Sequence, residues 1–117
     1  MSNKYDHLRP QNIVNSKEEA RRIEREARFF AAEHDRDIAT LDFHGMQLHD
    51  VEFEIDQFLL DHADSETLRI VTGHGLGIIK KAVGAYLEKI YKKPDSVIEV
   101  YKMSLNLPQY ILLLKRD

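Results

Sequence analysis

Two short apolar runs, at residues 38–43 and 68–72, each stop at a glycine, and after each comes a stretch whose apolar residues recur with helical spacing. That punctuation limits the fold more than any other feature of the chain. A strand closed by glycine and followed by an amphipathic helix is the first half of a strand–helix–strand crossover, and two in succession call for a sheet with parallel neighbours. In the first run, "IATLDF", Leu41 and Phe43 share one face of a strand, while Asp42 and the following His44 share the other. The second, "LRIVT", is apolar almost throughout, which suits burial on both faces or a parallel neighbour.

Leu48, Val51, Ile55, Phe58, Leu59 and His62 trace one face of a helix of about four turns. Asp50, Glu52, Glu54 and Asp56 lie toward its N-terminal end, where carboxylates complement the helix dipole. Ile79, Ala82, Val83, Tyr86 and Ile90 mark a second amphipathic helix that Pro94 bounds. Residues 97–103 and 110–115 read as two strands, and the short loop between them, with Asn106 and Pro108, favours antiparallel pairing. The order is a helix, then β-α-β-α-β-β. Right-handed crossovers make this an α+β domain, a two-layer sandwich in which a mixed four-stranded sheet carries both main helices on one face.

At the N-terminus, residues 1–15 show no sustained period and contain Pro10, so they read as a tail or extended arm. Ser16 and Glu19 match a capping box, and Ala20, Ile23, Ala27 and Phe30/Ala31 form a thin apolar stripe beyond it. An accessory helix docked at the domain edge is expected, with residues 1–37 as tail and helix and 38–117 as the domain.

With 117 residues, 43% of them hydrophobic, the chain suits one core. The absence of cysteine rules out a disulfide framework and a thiolate metal site. The longest apolar runs, such as "YILLL" at 110–114, are too short to span a bilayer, and the N-terminus has no apolar signal region, so a soluble, cytoplasmic protein without membrane contact is expected. The net charge of −3 hides a strong asymmetry: residues 41–68 hold eight acids and no Lys or Arg, whereas residues 69–117 hold nine bases and four acids. A polyanion can dock on the basic part despite the overall sign.

The two glycine turns carry the chemistry. Asp42, His44 and Gly45 end the first strand, and Thr72, Gly73, His74, Gly75 and Gly77 end the second. In parallel units these ends lie side by side, where open α/β sheets bind ligands. A glycine-rich turn entering a helix offers backbone N–H groups to an anion, and Lys80 and Lys81 in the first turns add positive charge. The glycine spacing is one residue short of the dinucleotide fingerprint, and no Gly-Lys-Ser/Thr follows, so neither a Rossmann site nor a P-loop is supported. Asp42, His44, His49 and His74 match no zinc signature, and Asp42 is the one candidate contact for a divalent cation such as magnesium or manganese. His7, His34 and His62 read as ordinary residues of tail and helix.

"LDFHG", an amphipathic helix, "IVTGHGLG" running into a second helix, and two final strands together resemble the Smr (small MutS-related) domain. The likeness covers roughly residues 38–115. It implies a fold like the C-terminal domain of translation initiation factor three. It also implies an endonuclease that nicks or cleaves DNA or RNA, or acts on messenger RNA at the ribosome, with non-cutting members too. Carried over by position, it implicates Asp42, His44, Gly45, Thr72, Gly73 and Gly75. The chain departs from the family at His74, where Lys or Arg is common, and at "SLNLPQY", which has no glycine where the family is often glycine-rich. A scissile phosphate on the amides of Gly73–Gly77, with His44 as general base or acid and Asp42 orienting it, is the expected arrangement. The alternative is a non-catalytic adaptor, docked on the ribosome or on structured nucleic acid through Arg21, Arg22, Arg25, Arg28 and lysines 80, 81, 89, 92 and 93. Oligomeric state is left open by the sequence.

Overall fold

A computed structural model describes residues 9–75 and 77–116, and the side chains from residue 16 onward within that range. The elements are α1 (Arg9–His34), β1 (Thr40–Asp42), α2 (Val51–Asp61), β2 (Thr67–Val71), α3 (Ile78–Tyr91), β3 (Ile98–Met103) and β4 (Gln109–Leu114). They form the expected mixed four-stranded sheet, in the order β1-β2-β4-β3. β1 and β2 are parallel, and β4 runs antiparallel to both β2 and β3. The second crossover therefore returns β3 parallel to β2 but one position away, and β4 fills the gap. Its sequence suits that place: all six residues are buried, as befits a strand covered on both faces.

Side chains alternate between two cores. Leu68, Ile70, Leu112 and Leu114 face α2 and α3, meeting Val51, Ile55, Phe58, Val83 and Leu87. Leu41 and Phe43 join this cluster, so the alternation in "LDFHG" is realised. β1 is shorter than the apolar run that announces it, although the Phe43 N–H continues the ladder to the Val71 carbonyl at 2.9 Å. At Gly84 α3 approaches β4 so closely that a Cβ would sit 2.5 Å from the Tyr110 hydroxyl. The second helix starts with a 3-10 turn, Leu48–Asp50, in which Leu48 is exposed, and α2 itself has 11 residues.

The N-terminal helix corrects two expectations. It is already helical at Arg9, so Ser16 lies inside it and caps nothing, and the Glu19 carboxylate pairs with Arg22 instead. Pro10 is no obstacle, because the first turn of a helix needs no N–H from proline. Of the expected tail, only residues 1–8, with His7, lie outside the described residues. The docking face is also different. Ile23 and Phe30 of the predicted stripe are 59% and 66% exposed, whereas Phe29 and Ala32 are buried against Ile111 and Leu113 on the sheet's other face. Among the described residues, only the C-terminal part of α1 touches the sheet, as a partial third layer.

Polar links fix that contact. Arg28 Nη1 donates to Glu99 at 2.8 Å, and the Arg69 guanidinium donates to the carbonyls of Ala32 and Asp35 at 2.7 and 2.9 Å. Arg69 thereby satisfies carbonyls that the last turn of α1 leaves without intrahelical partners.

On the first face, the Tyr86 hydroxyl donates to Asp56 at 2.6 Å, tying α3 to α2. Burial, and then that hydrogen bond, push the Tyr86 phenol from 10.0 up to about 12. Burial first, and the hydrogen bond to Glu88 second, also push the Tyr101 phenol up. A raised folded pKa favours the neutral phenol in the fold, so this stabilisation is complete below the ordinary value of 10.0 and is lost as pH rises from there toward about 12. The urea midpoint is expected to fall across that window, and less steeply in Tyr86→Phe; an equal decline would remove Tyr86 as its source.

Candidate functional site

The two glycine turns meet at the C-terminal ends of β1 and β2. The His44 ring rests on Gly73: a Cβ built there would lie 3.5 Å from His44 Cε1 and 3.6 Å from Nδ1. Gly73 has φ +79°, a left-handed backbone that side chains other than glycine's adopt at a cost. Gly45, Gly75 and Gly77 also have positive φ. Glycine at position 73 thus serves the turn, while a Cβ there would meet the imidazole at ordinary contact distance.

Asp42 holds the imidazole from the other side. Its Oδ1 accepts the His44 backbone N–H at 2.9 Å and stands 3.3 Å from His44 Nδ1. Both side chains remain open to solvent, at 56% and 70% exposure, so the pair can meet a ligand without any rearrangement of the core. Among the described residues, Nε2 of His44 has no hydrogen-bond partner. The strand pleat explains the arrangement, since residues 42 and 44 point away from the core that Leu41 and Phe43 enter.

The second turn leads into α3 through Gly77, which precedes the helix with φ +79° and offers no side-chain cap. The helical ladder of α3 begins with the Lys81 N–H donating to the Gly77 carbonyl at 3.0 Å, so the amides of Ile78, Ile79 and Lys80 lack helical partners and can meet an anion. A shallow cavity of about 260 Å³ opens at this turn, lined by Thr72, Gly73, His74, Gly77, Ile78, Ile79 and Lys80. His74 and Lys81 are exposed, and Lys80 is half-buried.

Thr72 has a different place from the one its position in the motif suggests. It is buried, its N–H and hydroxyl both donate to the Pro108 carbonyl, at 2.8 and 3.0 Å, and so it ties the β3–β4 loop to the glycine turn. That loop, "SLNLPQY" in the sequence, is anchored where a glycine-rich segment was missing. Its tip holds Leu105, 92% exposed.

Among the described residues no three His, Asp or Glu side chains gather as a metal site, so no cation site is assigned, and the observed partner of Asp42 is His44. His49 lies beside Asp50, away from this pair. The arginines of the N-terminal helix are only partly available: Arg22 pairs with Glu19, and Arg28 is drawn into the sheet by Glu99. No helix among the described residues is long and apolar enough to cross a membrane.

Comparison with known proteins agrees with this geometry. The crystal structure of the Smr domain of Thermus thermophilus MutS2 superposes with a TM-score of 0.56 at 20% identity, over 68% of this chain and all of that one, and so shares the fold. No curated protein matches the chain. The family model described as Smr domain matches residues 41–102, from the residue before Asp42 to the last but one residue of β3, and takes in both glycine turns. By that match, over more than half of its length, the chain belongs to the Smr domain family.

Proposed function

We propose that the protein binds nucleic acid and cleaves its phosphodiester bonds at the corner where Asp42 and His44 face the Gly73–Gly77 turn. One observation carries the reading: the imidazole faces Gly73 while Asp42 Oδ1 stands 3.3 Å from its Nδ1, so a proton carrier adjoins the turn that leads into the unpartnered amides at the start of α3. The scissile phosphate rests on the amides around Gly73–Gly77, with Lys80 and Lys81 nearby. His44 takes the proton from the attacking oxygen, either water or, on RNA, the adjacent 2′-hydroxyl, as the new P–O bond forms. The opposite P–O bond breaks, and the leaving oxygen receives a proton, for which His74 on the neighbouring turn is the nearest candidate in sequence. The amides stabilise charge on the phosphoryl oxygens. Asp42 fixes the orientation of His44 by accepting its backbone N–H and facing its Nδ1.

The experiment is incubation with labelled single-stranded RNA and with supercoiled plasmid, each with and without magnesium or manganese. Scission of either substrate is expected. Binding whose logarithm falls by about 0.7 per neutralised charge with the logarithm of salt, without cleavage under any ion, would instead make the protein a nucleic-acid- or ribosome-binding adaptor.

A further inference from the structure

A groove outside the His44 corner lies between the start of α2 and the middle of α3. Its volume is about 320 Å³, and it is lined by Leu48, Val51, Glu52, Ala82, Ala85 and Lys89, with Tyr86 as its remaining wall. Leu48 is 54% exposed, and Ala85 is exposed. The walls are thus apolar, while a carboxylate and an ammonium stand at the rim. A flat, mostly apolar ring with polar edges suits such a lining.

The groove lies farther along α3 than the cavity at the glycine turn, which Ile78 and Ile79 line at the start of the same helix. Ala85 lies about 10 Å along the helix from Ile78, at a rise of about 1.5 Å per residue, which spans about three nucleotides at the stacked rise of about 3.4 Å. Lys81, Lys89 and Lys92 are all exposed, and their spacing brings them to one outward side of α3. A phosphate chain that leaves the Gly73–Gly77 turn meets these lysines in succession. The other wall is acidic: Glu52 lines it, with Asp56 one turn on and held by Tyr86. That wall repels phosphate and accepts hydrogen bonds, so the charges orient a strand with its backbone on α3 and a base edge toward α2.

We propose that this groove is a nucleobase subsite for a single-stranded nucleic acid held at the His44 corner, and that Glu52 selects cytosine and adenine, through their exocyclic amines, over uracil. The proposal rests on the nucleic-acid reading above. A carboxylate accepts a hydrogen bond from such an amine, whereas uracil offers it only the N3–H, flanked by two carbonyls whose lone pairs repel the carboxylate. Lys89 contacts the phosphate of the same nucleotide, and the apolar floor takes the ring.

The test is fluorescence anisotropy with labelled 12-nucleotide oligomers of C, A and U, in a His44→Ala background so that nothing is cut. The C and A oligomers are expected to bind at least about fivefold more tightly than U. Ala85→Phe fills the groove from an exposed helix position and is expected to bring all three to the affinity of U. Glu52→Met removes both the charge and the acceptor at an exposed position and raises general affinity, so the C-to-U and A-to-U ratios are the readout, and both are expected to approach one. Circular dichroism establishes that Ala85→Phe is folded; if it is not, the Glu52→Met ratios decide alone. Equal binding of the three oligomers by the parent, or unchanged ratios in Glu52→Met, overturns the subsite and leaves the nucleic-acid reading intact. No binding of any oligomer overturns both.

Discussion

His44→Ala is expected to slow cleavage of a labelled single-stranded RNA or a supercoiled plasmid by about 10²- to 10⁴-fold, the usual contribution of a general acid or base. The fold should not change, since the ring is 70% exposed and makes no core contact; surface substitutions of this kind stay within about 0.5 kcal/mol. Loss of rate with an unchanged urea midpoint therefore assigns a chemical role. Asp42→Asn is a sharper probe of the pair. Its side-chain oxygen can still accept the His44 N–H, so the turn survives, but the carboxylate that faces the ring nitrogen is gone. Cleavage should slow while the urea midpoint stays unchanged. Equal rates for wild type and His44→Ala, measured on both substrates, would end the assignment.

Arg69→Met is expected to release α1 from the sheet. The guanidinium reaches three carbonyls near the end of that helix, at 2.7, 2.9 and 3.4 Å, and loss of a hydrogen bond to a charged group costs about 1.5–3 kcal/mol. The remaining ties of α1 are the buried Phe29 and Ala32, the ion pairs Arg28–Glu99 and Glu26–Lys102, and the Ser104 hydroxyl donating to Glu33. Limited proteolysis should cut within α1 faster than in the parent, while the sheet and the other helices resist. Arg69→Lys should rescue only part, because its ammonium cannot reach the carbonyls with one nitrogen and Thr40 with another. Unchanged proteolysis of α1 in Arg69→Met would show that these other ties suffice.

Most of the fold was legible because its signals are local. Alternation in "LDFHG" and helical spacing after each glycine report burial on one element, and those elements appear within a few residues of where they were expected. Strand order is another matter, since it depends on pairing between residues far apart. A signal for it was present: "YILLL" has no polar alternation, which marks a strand covered on both sides, and β4 is the one that separates β2 from β3. The register of α1 was misread for a physical reason. A helix that docks through two apolar residues and two arginines leaves almost no periodic trace, and the stripe that periodicity selects, Ile23 and Phe30, faces water. At the site, residue types and their convergence were visible in the motifs. The engagement of Thr72 by Pro108 was not, because it needs a loop thirty-six positions away.

The place of β4 has a consequence for synthesis. β2 and β3 are both made before the strand that joins them, so a nascent chain holds two unpartnered strand edges and an uncovered apolar floor until residues 109–114 emerge. Co-translational folding cannot close this sheet in stages. A product stopped short of β4 would keep its helices but lack the seam between β2 and β3, and quality-control proteases would meet it as an open, adhesive intermediate.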